Sequence, residues 1–126
     1  MSPKSSWPQH TKNSVLNSLS SADFASIRPF LETVYLEQGT ELIDFGAKVT
    51  KVYFPQSGLI SLVVRLNNAN MVEVAMVGQS SIFGASAALD GQISLTTAVV
   101  QLAGYASTLD VGRVRFGLPD ILYQTQ

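Results

Sequence analysis

The middle of the chain reads VYFPQSGLISL over residues 52–62, and this stretch decides the fold. Residues 52–54 are β-branched or aromatic and residues 59–62 are largely aliphatic, compositions that favour strands. Pro55 and Gly58 punctuate the chain between them. The stretch therefore predicts two strands joined by a turn.

Strand signals continue on both sides of this stretch. The aliphatic run extends to Leu66, residues 67–70 (Asn-Asn-Ala-Asn) predict a hairpin loop, and residues 71–77 predict the partner strand. Further short strands are predicted at residues 34–36, 42–43, 95–102 and 105–109. Turn signals at such short intervals are typical of a β-sandwich, jelly roll or barrel.

Two short helices are predicted ahead of the strands. Ser20 and Asp23 have the spacing of a capping box at the start of the second helix. Pro29 is expected to kink or end that helix. The apolar residues expected to face the core are Val15, Leu16 and Leu19 from the first helix and Phe24, Ile27 and Leu31 from the second.

Helical signals also occur within and after the strands. The Ala-rich residues 81–89 predict a short inserted helix. Asp110 is a plausible N-cap for a helix through Val114, and Pro119 predicts the first residue of another. The predicted fold class is mainly β with flanking helices.

Composition is that of an ordinary globular domain, with 46% hydrophobic and 13% charged residues. The net charge is −1 and the eight Lys and Arg residues are dispersed, so we expect no basic face for nucleic acid. The chain has no cysteine, which excludes disulfides and thiolate chemistry. No apolar run approaches the ~20 residues of a membrane helix. We therefore expect a cytoplasmic protein that makes no membrane contact.

The order of these elements and their glycine spacing resemble the cyclic-nucleotide-binding domain of the Crp/Fnr family of bacterial regulators. Residues 52–62 carry the strongest likeness, followed by residues 72–78, by Gly39 with Gly46, and by residues 13–36. The resemblance implies a β-roll (a double-stranded β-helix or jelly roll) with two N-terminal helices, a short inserted helix and a C-terminal helical segment. It also implies a sensor domain for transcription regulation that is not an enzyme and carries no cofactor.

The same resemblance implies a ligand cassette, in which Phe-Gly-Glu begins a short helix and a downstream Arg pairs with the cyclic phosphate. Here Phe83-Gly84 is followed by Ala85, and Thr96 stands at the position of the Arg. From Val74 to Leu109 the only charged residue is Asp90. Because a buried phosphate without a cation is poorly compensated, we do not expect a response to cyclic AMP.

A neutral or weakly polar effector of unknown identity remains possible through hydroxyl groups in this cassette. The candidate ligand-binding residues are Phe83, Gly84, Ala85, Ser86, Thr96 and Thr97. The alternative is a structural elbow in a protein-interaction module, with the pocket collapsed around Phe83, Leu89 or Ile93.

Catalytic and metal-binding interpretations are weaker. A cupin-type enzyme would need several metal-ligating histidines, and His10, in the Pro- and Ser-rich start of the chain, is the only one. Glu37, Glu41 and Asp44 fit a solvated turn better than a calcium loop. Met71 and Met76 are most simply core and strand packing. We predict no catalytic residue and no metal site.

The domain organisation follows from these assignments. Residues 1–12 are predicted to be a flexible arm, residues 13–118 the β-roll, and residues 119–126 the start of a truncated dimerisation-type helix. The resemblance implies that such a helix continues into a DNA-reading domain. The extended protein is therefore expected to be a homodimer, and this chain is expected to bind no DNA itself.

Overall fold

A computed structural model describes residues 12–67, 70–85 and 92–113. Two short helices begin this part of the chain, α1 (Ser14–Ser18) and α2 (Ser21–Ile27), and a 3-10 turn (Arg28–Phe30) follows them. The strands are β1 (Leu31–Leu36), β2 (Glu41–Ile43), β3 (Lys51–Pro55), β4 (Leu59–Arg65), β5 (Met71–Val77), β6 (Thr97–Leu102) and β7 (Gly104–Asp110). A second 3-10 turn (Val111–Arg113) ends the described residues.

The strands form two antiparallel sheets. The first has the order β1-β7-β3 and the second has the order β2-β6-β4-β5. The two strands of residues 52–62 therefore lie in different sheets, and the turn between them carries the chain from one sheet to the other. The β4–β5 hairpin predicted around residues 67–70 is confirmed. The two strands pair antiparallel, with Ile60 opposite Val77 at one end and Arg65 opposite Met71 at the other.

The crossing between the sheets depends on a close approach of two turns. The backbone amides of Gln56 and Ser57 donate to the Tyr105 carbonyl at 2.8 and 3.1 Å. Gly58 has a positive φ of 79°, and a Cβ placed on it would lie 2.8 Å from the Ala103 carbonyl oxygen. Only glycine combines this backbone conformation with so little space.

The core has two parts, one on each face of the first sheet. On one face, α1 and α2 pack through Leu16, Phe24 and Ile27 against Phe54 and Leu109. On the other face, the two sheets pack together around a second cluster of buried side chains. This second cluster comprises Leu36, Ile60, Val77, Phe83, Ala98, Val100 and Ala106. The result is a layer of helices on a two-sheet roll, the β-roll predicted from the sequence.

Asn13 attaches the helices to this roll. Its side chain is fully buried and caps α1, accepting hydrogen bonds from the backbone amides of Val15 and Leu16. The Nδ2 group donates to the Pro55 and Ser81 carbonyls at 2.9 and 2.8 Å. One polar side chain thus provides hydrogen-bond partners for two amides at the start of α1 and for two backbone carbonyls, which burial removes from water.

The predicted N-terminal helices are confirmed, with one error. Ser20 caps α2, since its Oγ accepts from the Asp23 amide at 3.1 Å. Leu31 does not lie on the helix, because α2 ends at Ile27 and the 3-10 turn at Pro29 leads directly into β1.

Two strand predictions need correction. The predicted strand at residues 95–102 begins only at Thr97, because the Ser94 hydroxyl donates to the Thr96 carbonyl at 2.6 Å and holds a local turn. Met71 and Met76 lie on β5 as predicted, but they are 47% and 44% exposed and are not core residues. β5 is an edge strand of the second sheet, so its side chains have neighbours on one side only.

Asp110 ends β7 and accepts a hydrogen bond at Oδ1 from the Gly112 amide, at 2.9 Å, in a 3-10 turn rather than an α-helix. The helix predicted over residues 81–89 is not formed at residues 81–84, where Phe83 pairs with Tyr53, and its part beyond Ala85 lies outside the described residues. Also outside them lie the predicted arm up to Thr11, the pocket residue Leu89, Val114 and the segment at residues 119–126. Within the described residues, no helix is long and apolar enough to cross a membrane.

Candidate ligand-binding site

The elbow that begins the predicted cassette is attached to β3. The backbone of Phe83 exchanges two hydrogen bonds with that of Tyr53, both at 2.9 Å, outside the regular strands. Their rings lie 5.9 Å apart between centroids in a tilted arrangement. Phe83 is only 7% exposed and belongs to the core between the two sheets. The residue that the sequence placed in a ligand pocket is therefore at least in part a core residue.

Gly84 and Ala85 have clear structural roles at this elbow. Gly84 has a φ of 91°, and a Cβ there would lie 2.7 Å from the Lys51 carbonyl oxygen. The Ala85 side chain is fully buried and packs in the cluster beneath α1 and α2. A buried methyl group thus occupies the position where the resemblance implies a ribose-binding carboxylate.

The two threonines at the start of β6 are placed differently. Thr97 is buried, and its hydroxyl donates to Asp44 Oδ1 at 3.0 Å and accepts from the Phe45 amide at 3.2 Å. Thr96 is half-buried, and its amide donates to Ser94 Oγ at 3.3 Å. The Thr97 hydroxyl is therefore engaged in holding the connection between β2 and β3.

The structure links both groups of candidate residues to that same connection. Phe83 is hydrogen-bonded to Tyr53, which lies on β3 shortly after the connection, and Thr97 is hydrogen-bonded to Asp44 at the start of the connection. Among the described residues, no contact joins the Phe83 elbow to the two threonines in a single binding site. Ser86 lies outside the described residues. Ligand binding by these six residues stays a prediction.

Sequence reasoning missed a cleft on the β2–β3 side of Phe83. Its volume is about 370 Å³. The residues that characterise it are Leu42, Ile43, Lys48, Lys51, Tyr53 and Phe83. Lys51 and Tyr53 are two apart on β3, so strand alternation places them on one face of it. That alternation could have indicated from the sequence that Lys51 and Tyr53 share a face. The contribution of Phe83 could not be predicted in this way, because Phe83 lies 30 or more positions further along the chain.

Burial controls the ionisation of the tyrosine in this cleft. Desolvation by burial raises the pKa of the Tyr53 phenol above its ordinary value of 10.0. At neutral pH the phenol carries its proton, as an ordinary tyrosine does, and its hydroxyl can donate a hydrogen bond. Among the described residues, no group of three or more His, Cys, Asp and Glu side chains could hold a metal ion.

Comparison with known proteins agrees with this architecture. The family profile described as Cyclic nucleotide-binding domain matches residues 33–115. The chain belongs to the cyclic nucleotide-binding domain family. No curated protein matches it significantly.

Three solved structures illustrate the shared fold. The N-terminal domain of a transcriptional regulator from Streptomyces coelicolor A3(2) is 21% identical with a TM-score of 0.70, over 79% of this chain and 70% of that one. The regulatory domain of Toxoplasma gondii protein kinase A with cyclic AMP is 21% identical with a TM-score of 0.75, over 90% and 43%. The regulatory subunit of a cAMP-independent protein kinase A from Trypanosoma cruzi, bound to guanosine, is 16% identical with a TM-score of 0.72, over 86% and 39%.

Proposed function

We propose that this chain is the ligand-sensing domain of a cytoplasmic, Crp/Fnr-like bacterial transcription regulator, that it is not an enzyme, and that it does not respond to cyclic AMP. The family fold and the likeness to the Streptomyces regulator domain support the sensing role. The observation that carries the proposal is a cassette that keeps the Phe83-Gly84 elbow but buries an alanine methyl group at position 85.

The chemistry of the cassette argues against a cyclic phosphate. Ala85 offers no hydrogen-bonding group to a ribose, and Asp90 is the only charged residue between Val74 and Leu109. Losing one charge-assisted pair in a buried site costs about 2–5 kcal/mol, roughly a 30- to 5,000-fold loss of affinity, and the cassette lacks both the ribose and the phosphate partner. The guanosine-bound Trypanosoma subunit supports the idea that this fold accepts ligands without a cyclic phosphate.

Calorimetric titration of the chain with cyclic AMP and cyclic GMP tests this proposal. We expect no binding tighter than millimolar for either nucleotide. A Thr96→Arg variant restores a cation and should gain affinity by roughly tenfold or more, the effect of one charge-assisted hydrogen bond. Thr96→Gln, which adds length without charge, is the matched control and should gain nothing.

The results separate the outcomes. A micromolar dissociation constant for the unmodified chain would overturn the statement about cyclic AMP. A Thr96→Arg variant that binds no better than Thr96→Gln would mean that the cassette no longer accommodates a nucleotide. Heat-denaturation shifts across a panel of metabolites, both uncharged compounds and organic acids, then test the sensing role itself, and a panel without any shift would speak against it.

The proposed regulator acts as a homodimer, and this domain does not contact DNA directly. The net charge of −1 supports the second point, since phosphate contacts need clustered cations. A gel-shift experiment on the chain should show no complex that an operator sequence competes specifically. Such a complex would contradict the proposal.

A second candidate function is an interaction module without a ligand. The burial of Phe83 between the sheets favours it, because a filled cassette has no room for an effector. This candidate predicts that no small molecule alters the melting temperature of the chain. The same metabolite panel therefore decides between the two.

A further inference from the structure

The cleft beside Phe83 has the size of a small-molecule site. Its volume of about 370 Å³ falls in the range of known ligand pockets, roughly 300–1,000 Å³. It lies between the end of β2, the start of β3 and the Phe83 elbow. Phe83 is the cassette residue that it shares, whereas Thr96 and Thr97 do not line it.

Apolar and aromatic side chains form part of the floor of the cleft. Leu42 and Ile43 are half-buried at its β2 end, and the paired rings of Tyr53 and Phe83 form its other side. Such a surface favours a ligand with an aliphatic or aromatic body, because covering it removes apolar area from water. A bare inorganic anion would leave this floor uncovered.

The charges around the cleft are predominantly positive. Lys48 and Lys51 line it and are exposed, and neither forms an ion pair with a described residue. The acid at the cleft is Asp44, whose Oδ1 already accepts from Thr97 Oγ1 at 3.0 Å and from the Phe45 amide at 2.8 Å. The lining of the cleft thus includes two cations and one carboxylate, and that carboxylate already accepts two hydrogen bonds. The cassette, in contrast, has no cation in its sequence.

The Tyr53 hydroxyl adds a neutral donor to this site. It makes no hydrogen bond with a described residue, and like an ordinary tyrosine it is protonated at neutral pH. A phenol donor and two lysine side chains that line the same cleft are suited to a carboxylate, which accepts hydrogen bonds through two oxygens.

We propose that this cleft binds a small organic carboxylate with an apolar body, with Lys48 and Lys51 on the carboxylate and Tyr53 and Phe83 on the body. That the ligand is the signal sensed by the domain rests on the proposed function. The path to the cassette is short, because Phe83 is hydrogen-bonded to Tyr53 and Gly84 lies against the Lys51 carbonyl. Binding in the cleft therefore acts directly on the elbow.

The test is an NMR titration of the isotope-labelled chain with phenylacetate and with its neutral counterpart phenylacetamide. We expect phenylacetate to shift the amides of residues 42–53 and of Phe83, and to bind more tightly than phenylacetamide. Exposed ion pairs contribute modestly, so the Lys48→Gln/Lys51→Gln double variant should weaken phenylacetate binding by roughly tenfold and leave phenylacetamide unchanged. Lys12→Gln removes an exposed lysine outside the cleft and should change neither.

Several results would overturn the inference. These are equal binding of the acid and the amide, shifts confined to residues 94–99, or a loss in Lys12→Gln as large as in the double variant. Tyr53→Phe keeps the ring and removes only the hydroxyl, and it should weaken the acid more than the amide. Circular dichroism melting confirms that each variant is folded before its titration is interpreted.

The inference and the proposed function fail in different ways. If phenylacetate binds the cleft but no metabolite changes the activity of a regulator that contains this domain, the cleft assignment stands and the sensing role is wrong. If a metabolite is sensed and its shifts map to the cassette alone, the sensing role stands and the cleft assignment is wrong.

Discussion

The two sides of the Phe83 elbow differ in their chemistry although they share one backbone. On the cassette side, the residues that the family resemblance assigns to ribose and phosphate are replaced by Ala85 and Thr96. On the cleft side, Lys48, Lys51 and Tyr53 supply two cations and a protonated phenol. Phe83 and Gly84, between the two sides, are held by packing and by lack of space. The comparison teaches that packing and lack of space fix the elbow, whereas the side chains on its two sides differ in charge and in hydrogen-bonding capacity.

The largest effect is expected from Phe83→Ala, because Phe83 is buried between the two sheets. Removing a buried phenylalanine ring costs about 3–5 kcal/mol in the free energy of unfolding. Phe45→Ala is the matched control, since Phe45 is 63% exposed, and an exposed substitution changes stability by about 0.5 kcal/mol or less. Urea denaturation measures both. Similar losses for the two variants would show that Phe83 is not the core residue described above.

A smaller effect is expected from Gly84→Ala, and Gly39→Ala isolates its cause. The two glycines have φ values of 91° and 87°, but nothing lies within 4 Å of a Cβ at Gly39, whereas at Gly84 it meets the Lys51 carbonyl. Backbone strain alone costs about 1 kcal/mol. Gly84→Ala should lower the free energy of unfolding by about twice as much or more, because the close contact adds to that strain. Equal unfolding free energies for the two variants would remove the packing argument for the elbow.

The smallest effect is expected from Thr97→Val, which removes the hydroxyl bonded to Asp44. Loss of this hydrogen bond should cost about 1 kcal/mol in the free energy of unfolding. Thr96→Val is the comparison, since the structure gives the Thr96 hydroxyl no partner among the described residues, and it should cost less. If the two variants are equally stable, Thr97 does not hold the β2–β3 connection, and its predicted role toward a ligand gains weight.

The sequence predicted the strand content and most element bounds because local patterns decide them. The Ser20 cap, the helix end at Pro29 and the β4–β5 hairpin each depend on residues close together in the chain. The errors occur where a distant or local contact overrides composition. Met71 and Met76 are hydrophobic enough for a core, but β5 lies at a sheet edge, and periodicity carries no information about strand order.

The candidate site was less predictable than the fold. Phe83, Gly84 and Ala85 were singled out from the resemblance, and the alternative interpretation had Phe83 filling a collapsed pocket. Only the tertiary structure places Phe83 in the core and buries the Ala85 methyl beneath the helices. The cleft was missed because Phe83 and Lys51 are distant in sequence. Only the pairing of Phe83 with Tyr53 brings them to the same place.

The sequence by itself therefore determined the alternation of strands and turns, the capped helices and the absence of a cation from the cassette, since these depend on residue type and short spacing. The tertiary structure alone decided that residues 52–62 cross between two sheets, that Thr97 bonds Asp44, and that two lysines meet an aromatic pair at one cleft. The physical reason is that sheet pairing joins residues many positions apart. Those long-range pairings, and not local propensity, set which faces are buried and which charges lie together.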